Sequence, residues 1–538
     1  MSLNYKNPLI ILAFVFFTYA PILFNQYIGD DHIIIEKNTF YSSWKNLPRL
    51  FKKGYITDLR AINYNNDTRA DFGPGSVSYR PVSNFSYFLD YSLFHARPFG
   101  SHLINIFIHA VNTLLVYWIV DFLFFSSALG LFAALFFSLH PLQSEPVAVM
   151  SYRADIISAF FVLVAFIFWI KFQKGRFLNH GYYMGALFMY GAAVFSKESS
   201  IMLPFVIFSF DQLFGTLSIG LKQRSKYYLG FVVILFFYLY LYFFVFPNSS
   251  LQFHWLGGSF LNHGLTMGYI WYTYLINCLF PWTVKLVPGL YCPPPPMLLS
   301  LKTVEIGILL VVFIAAAKFL WLHHKNALFF LFWYALFYLP ISNIVPIANP
   351  IASRFMYLPS IGSLVVGAWF LHEVSCNEWL KRCSQRLPIM LHVAIIFILM
   401  VCTLFLNVNW RSDFDVAYSW VKDYPESYRG YGLLGKLFFY RGHFKRAKEY
   451  LEKSIQMGDQ LPNDVFILAQ CYRVLGEFQE AQFLLKQIIA HNPGYADPYF
   501  ELAAVYYFQH NTFLEQEMLK KGLALDPRKS AMYIPLMR

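Results

Sequence analysis

The chain has 538 residues, of which 57% are hydrophobic and 13% charged, and a mean hydropathy of +0.45. That composition excludes an ordinary soluble protein and puts most of the chain in a bilayer. The net charge of +12 is unevenly held: residues 1–410 carry 26 Lys and Arg against 15 Asp and Glu, while the last 128 carry 16 against 15. A basic excess confined to the membrane part reports loop charges that set orientation and meet anionic headgroups, so it does not argue for a nucleic-acid partner.

The apolar run that opens the chain, Pro8 to Gln26, is long enough to span and has no small-residue cleavage site after it, so it reads as a retained first helix rather than a signal peptide. Ten more apolar stretches follow at about 101–125, 128–146, 155–172, 181–196, 199–215, 227–246, 303–322, 327–347, 357–373 and 388–408, for about eleven spans. Lys6, then Lys171, Lys174 and Arg176, then Lys222, Arg224 and Lys226, then Lys325, then Lys381, Arg382 and Arg386 all fall on one side of this count. The positive-inside rule makes that side cytoplasmic, with the N-terminus there and everything after 408 exoplasmic, facing a bacterial periplasm or an endoplasmic reticulum lumen. The stretch 264–282 is then interfacial or re-entrant.

Two exoplasmic loops are long, 27–100 and roughly 247–302. The first alternates aromatic and basic residues from Trp44, as a helix lying on a membrane does, and the second carries a stiff proline run from Cys292 to Pro296. The six cysteines, Cys278, Cys292, Cys376, Cys383, Cys402 and Cys471, form no CxxC pair and have no zinc spacing, so neither a disulfide framework nor a structural metal is indicated.

After residue 410 a period of 34 residues appears. Pro425, Asp459, Pro493 and Pro527 are successive steps of it, as are Gly435, Ala469 and Ala503, and Phe438, Tyr472 and Tyr506. These are the positions at which a tetratricopeptide (TPR) unit packs its paired helices. The sequence therefore predicts an all-α chain: a polytopic membrane helix bundle over 1–410, and a TPR α-solenoid over 411–538 made of a half repeat and about three repeats. The third repeat is degenerate, with Glu515 where a small residue is due. Such a stack offers a concave surface to an extended polypeptide.

Ionisable residues at the edges of spans are costly, so each is a candidate site. Asp30 and Asp31 follow the first helix directly, and paired carboxylates at a membrane surface either act as a general base or hold a cation. His102, Asn105, His109 and Asn112 share one helical stripe, where interhelical hydrogen bonding is the simplest reading. His140 and Glu145, then Arg153 and Asp155, then Lys197 and Glu198, and finally Arg354 reach the same exoplasmic level. Arg80, Arg153, Lys197 and Arg354 suit a phosphate, and each has pairing with Asp71, Asp155 or Glu198 as its alternative. The chain contains no GxxxxGK[ST] or GxGxxG, so a membrane-soluble activated donor fits better than a nucleotide.

In order and topology these residues resemble the transmembrane and tetratricopeptide-containing O-mannosyltransferases (TMTC), relatives of the protein O-mannosyltransferases. The resemblance runs through Gly29-Asp30-Asp31, Asp71-Phe72-Gly73, Ser78-Tyr79-Arg80-Pro81, Phe99-Gly100-Ser101-His102, His140-Pro141, Arg153-Ala154-Asp155, Ser196-Lys197-Glu198 and Arg354-Phe355-Met356-Tyr357. It implies a GT-C fold and inverting transfer of mannose from a polyprenyl-phosphate donor to Ser or Thr of a protein acceptor. It further implies one carboxylate of the Asp30-Asp31 pair as base, Asp30 being preferred with Asp31 orienting it, and Arg80, Arg153, Lys197 and Arg354 as donor-phosphate candidates. Polyprenyl phosphate is already a competent leaving group, so no metal or other cofactor is required, while the His, Asp and Glu cluster leaves room for a divalent ion. The chain departs from the family at Gln143, where a second His is common, and in its shorter repeat array. A membrane-anchored repeat scaffold without catalysis and a polyprenyl-phosphate transporter are the competing readings.

Overall fold

The computed structural model describes residues 6–52, 79–174, 179–214, 221–246, 255–286, 297–298, 300–345, 347, 349–375, 386–459 and 461–529. Asp71, Ser78, Arg176, Cys292 with the proline run after it, Cys376, Lys381, Arg382 and Cys383 lie outside these. The described residues form two compact units, those up to Ser412 and those from Asp413 onward. Every regular element among the described residues is helical.

The first unit is built on α1 (Lys6–Tyr19), α2 (Pro81–Phe94), α3 (Pro98–Phe124), α4 (Ser127–Ser138), α5 (Ser144–Ala148), α6 (Arg153–Lys174) and α7 (His180–Val194). It continues with α8 (Leu203–Phe214), α9 (Leu221–Tyr240), α10 (Phe260–Leu279), α11 (Leu301–His323), α12 (Lys325–Tyr338), α13 (Tyr357–Ser375) and α14 (Leu387–Val408). Among the described residues seven helices are long and apolar enough to cross a membrane: Lys6–Phe24, Pro98–Phe124, Met150–Lys174, Ser225–Val245, Leu301–His323, Ser353–Ser375 and Leu387–Val408. An eighth expected span is broken, bending by 54° between Ser127–Ser138 and Pro141–Ala148. His140 is extended there, and Pro141, which lacks an N–H, cannot continue the ladder.

The other three expected spans are shorter helices, α7 with 15 residues, Lys325–Ile341, and residues 198–214. A 15-residue helix is only about 22 Å long, less than the ~30 Å hydrocarbon core. The 264–282 stretch lies mostly on α10, a 20-residue helix carrying Asn262, His263, Thr266, Thr273 and Asn277, and it is not among the helices apolar enough to cross.

In a bilayer, apolar burial does little to select helix neighbours, so polar contacts and close packing do it. Tyr19 of α1 donates to the Ser138 carbonyl at 3.0 Å, Asn407 of α14 to the Thr18 carbonyl at 3.1 Å, and Thr403 to the Leu139 carbonyl at 2.6 Å. α6 is the most buried of the seven spanning helices, whereas α9 and α11 expose most of their apolar surface.

In the long first loop the segment that begins at Trp44 is helical, as its sequence suggests. Residues Trp44–Phe51 form a 3-10 helix containing Pro48. Leu50 enters a core with Tyr27, Ile35, Tyr41, Tyr87, Phe88 and Met150, while Trp44 and Phe51 stay exposed. This anchors the segment after α1 against α2.

In the second unit, helix Asp413–Asp423 precedes three hairpins, whose second helices start at Phe444, Phe478 and Thr512, 34 residues apart. Gly442 and Gly476 make the hairpin turns with positive φ, and the equivalent place in the third turn is taken by His510 at φ 59°. The degeneracy of the last repeat thus extends to its turn.

Gly362 sets the spacing of α12 and α13. An added Cβ there would overlap the Phe330 carbonyl oxygen and the Tyr334 backbone nitrogen. Gly362→Ala is expected to destabilise the bundle by roughly 1–3 kcal/mol, read as a lower thermal midpoint in detergent. An unchanged midpoint would show that the two backbones are not held that close.

Candidate functional site

The site is assembled where the turn after α1 meets the start of α6. Residues Ala20–Phe24 extend α1 as a 3-10 helix, and Gly29 at φ 52° adopts a left-handed turn that favours glycine. Asp31 is fully buried by this reversal. Its Oδ1 accepts the Ser151 backbone N–H at 2.6 Å, and its Oδ2 accepts the N–H groups of Met150 at 3.4 Å and Ile28 at 3.5 Å. Asp30 is half-buried, and its Oδ1 is enclosed without a hydrogen-bond partner among the described residues.

Burial pushes the Asp30 carboxyl up to about 7, with Arg354 opposing and Asp31 adding to the rise. Burial also raises Asp31, to about 6, against the Ser151 hydrogen bonds that favour its ionised form. The two neighbours therefore differ in role: Asp31 is spent on backbone donors, and Asp30 keeps an unused oxygen.

The four expected phosphate cations are distributed unequally. Arg153 is fully buried, and all three of its nitrogens are engaged. Nη1 donates to Asp90 at 2.8 Å and Ser86 at 3.3 Å, Nη2 to the Ser101 carbonyl at 2.9 Å, and Nε to Asn105 at 2.5 Å. It ties α2, α3 and α6 together and has no free edge for a ligand. Arg80 grips Glu198 through two bonds, at 3.0 and 2.6 Å, which bring Glu198 down to about 2 against the upward push of burial. Lys197 pairs with Asp155, and burial lowers the Lys197 ammonium despite that partner.

Arg354 is likewise paired with an acid. Its Nη1 pairs with Glu145 Oε1, and its backbone N–H reaches Glu145 Oε2 at 2.9 Å. Its guanidinium carbon lies 3.9 Å from the centre of the Tyr152 ring. Among the described residues, Nε and Nη2 have no hydrogen-bond partner, so one edge of the fork is open on a cation that electrostatically senses Asp30.

The polar stripe of α3 works between helices. Asn105 donates to the Val147 carbonyl at 3.1 Å, Asn112 to the Ile156 carbonyl at 2.8 Å, and His109 bonds Tyr357 at 2.7 Å and the Ser138 carbonyl at 3.2 Å. His102 is buried against the Asn25 backbone, and His140 Nδ1 caps the turn at Leu142. Gln143, at the family's departure point, donates to Ser360 at 2.9 Å and so links the broken fourth helix to α13. Among the described residues no three His, Cys, Asp or Glu side chains converge as a metal site would need.

The sequence assigns no role to three residues that complete the network. Asp90 is the counter-ion of Arg153, and its signal is a lone acid in the apolar run Phe85–Phe94. Tyr152 stands next to Arg153 but is inconspicuous in an aromatic-rich chain, and Tyr357, which bonds both His109 and Asn112, falls inside a motif without marking itself out.

Residues 79–243 match the family model described as dolichyl-phosphate-mannose-protein mannosyltransferase. A Caenorhabditis elegans protein named Protein O-mannosyl-transferase F38B6.6 is 23% identical over 474 residues, covering 85% of this chain and 63% of that protein. Human Protein O-mannosyl-transferase TMTC1 is 23% identical over 415 residues (65% of this chain, 44% of the relative). Mouse Protein O-mannosyl-transferase TMTC3 is 29% identical over 174 residues (32% and 18%). The chain thus spans less than two thirds of the length of these relatives. The matches support the TMTC/PMT-like family to which the motifs point.

The asymmetry between the paired acids is directly measurable. Difference infrared spectra recorded over a pH series should show a buried carboxyl titrating near 7 that disappears in Asp30→Asn. A wild-type protein in which every carboxyl band is already ionised at pH 6 would contradict the burial of Asp30.

Proposed function

We propose that this TMTC/PMT-like chain is a membrane glycosyltransferase that moves a sugar, mannose by its likeness to the named relatives, from a polyprenyl-phosphate donor to Ser or Thr hydroxyls of protein acceptors. The observation that carries the reading is an acid oxygen enclosed without a partner, Asp30 Oδ1, on a carboxyl that feels the charge of Arg354, whose Nε and Nη2 are not used by Glu145. Of the four expected cations, each paired with an acid, Arg153 is the one arginine with every side-chain nitrogen engaged among the described residues.

In this mechanism Asp30 accepts the proton of the acceptor hydroxyl as its oxygen bonds to the anomeric carbon. The bond from that carbon to the phosphate oxygen breaks with inversion, and the electron pair leaves on the polyprenyl phosphate. The open edge of Arg354 takes up the charge developing there, as guanidinium forks do for phosphates. Asp31 acts by holding the turn that presents Asp30. Because a general base must be ionised, kcat/KM is expected to rise as pH increases through about 7 and then level off. The helical hairpins of the second unit are assigned to acceptor polypeptide, whose capture there raises its local concentration. The catalytic face is assigned to the exoplasmic side on the loop-charge pattern.

The test is incubation of purified protein with radiolabelled polyprenyl-phosphate sugars and Ser/Thr peptides. Label should reach peptide with wild type and fall by at least about 10²-fold in Asp30→Asn, with expression and membrane insertion unchanged. Wild-type transfer by Asp30→Asn would remove Asp30 as the base. Absence of transfer by wild type together with retained protein-partner binding would favour the scaffold reading.

A further inference from the structure

Arg354 is only 7% exposed, and outside its Nη1 pair the guanidinium takes its support from the groups packed against it. The described residues supply one such support outside the Glu145 pair. The Tyr152 ring lies under the guanidinium at 3.9 Å, far closer than the 5.0 Å to Phe355. Tyr152 is itself held from both sides in sequence: the preceding N–H groups of Met150 and Ser151 donate to Asp31, and the following Arg153 is locked to Asp90, Asn105 and Ser101. The ring therefore sits on a short turn whose other contact is the Asp31 carboxylate. No hydrogen bond is made by the Tyr152 hydroxyl among the described residues, which leaves the ring face as the part that does the positioning.

We propose that Tyr152 is a positioning residue: its ring is the platform that keeps the Arg354 guanidinium flat, with its free edge turned to a lipid-linked phosphate, and the Met150–Arg153 turn gauges the distance from that phosphate to Asp30. The inference rests on the phosphate role proposed above for Arg354. It assigns the platform to the π face, which attracts a cation through the ring quadrupole, and not to the phenol oxygen. One turn then carries both parts of the reaction geometry, the acid through Asp31 and the cation through Tyr152.

The test measures binding of a fluorescent short-chain prenyl phosphate and of the matching uncharged prenol to the full-length protein in detergent. Tyr152→Phe should bind the phosphate as wild type does. Tyr152→Leu should weaken it by about tenfold and leave the prenol unaffected, a charge-specific loss that general loosening of the fold would not produce. Arg354→Gln serves as the marker for the underlying reading. If Arg354→Gln also binds the phosphate normally, the phosphate assignment itself fails; if Arg354→Gln loses binding while Tyr152→Leu keeps it, the platform alone is overturned. Equal losses in the Phe and Leu variants would give the role to the hydroxyl and also overturn it. Should Tyr152→Leu not fold, Tyr152→Met takes its place, the same charge-specific loss supporting the ring and retained phosphate binding rejecting it.

Discussion

The carboxylate of Asp31 on the backbone N–H groups of Met150 and Ser151 is the contact on which the site depends. It joins the end of the first helix to the start of the sixth, residues far apart in sequence that supply the acid and the support for the cation. Hydrogen bonds to a charged group are worth about 1.5–3 kcal/mol each when buried. That is enough to hold a turn against the pull of solvent on a neighbouring, less buried Asp30. The geometry also fixes the division of labour, because the oxygens of Asp31 that face Met150 and Ser151 cannot at the same time serve a substrate.

Around this contact each of the four expected phosphate cations has its own acid: Arg80 with Glu198, Arg153 with Asp90, Lys197 with Asp155 and Arg354 with Glu145. Such pairing is what a low-dielectric setting demands, since one unpaired buried charge costs several kcal/mol. Against that background the enclosed, unpartnered oxygen of Asp30 and the half-used fork of Arg354 are departures from local satisfaction. Departures of this kind concentrate where a ligand completes the network.

Much of this was legible in the sequence, and the limits have physical causes. Asp30 and Asp31 stand out because two acids directly after an apolar run have few structural uses, and the 34-residue spacing marks out the helical hairpins. The spacing of Arg80, Arg153, Lys197 and Arg354 reveals a common membrane level but not their partners, which come from other helices. So Arg153, equal to Arg354 as a sequence candidate, proves saturated by Asp90, Ser86, Ser101 and Asn105. The short helices α7 and α12 were also hidden: apolar runs read the same whether the helix is 15 residues or 23, and only the capping and bending of the backbone set its length. Tyr152 was out of reach because its role lies in which ring face meets which cation, a matter of packing and not of residue type.

The most direct measurement is an experimental structure of the full-length protein with a non-transferable prenyl phosphate bound. The account predicts the phosphorus within hydrogen-bonding reach of Arg354 Nε or Nη2, above the Tyr152 ring, with Asp30 Oδ1 facing the side where an acceptor hydroxyl would sit. A phosphate seated instead on Arg80 or Lys197, with the Arg354 edge still empty, would contradict it.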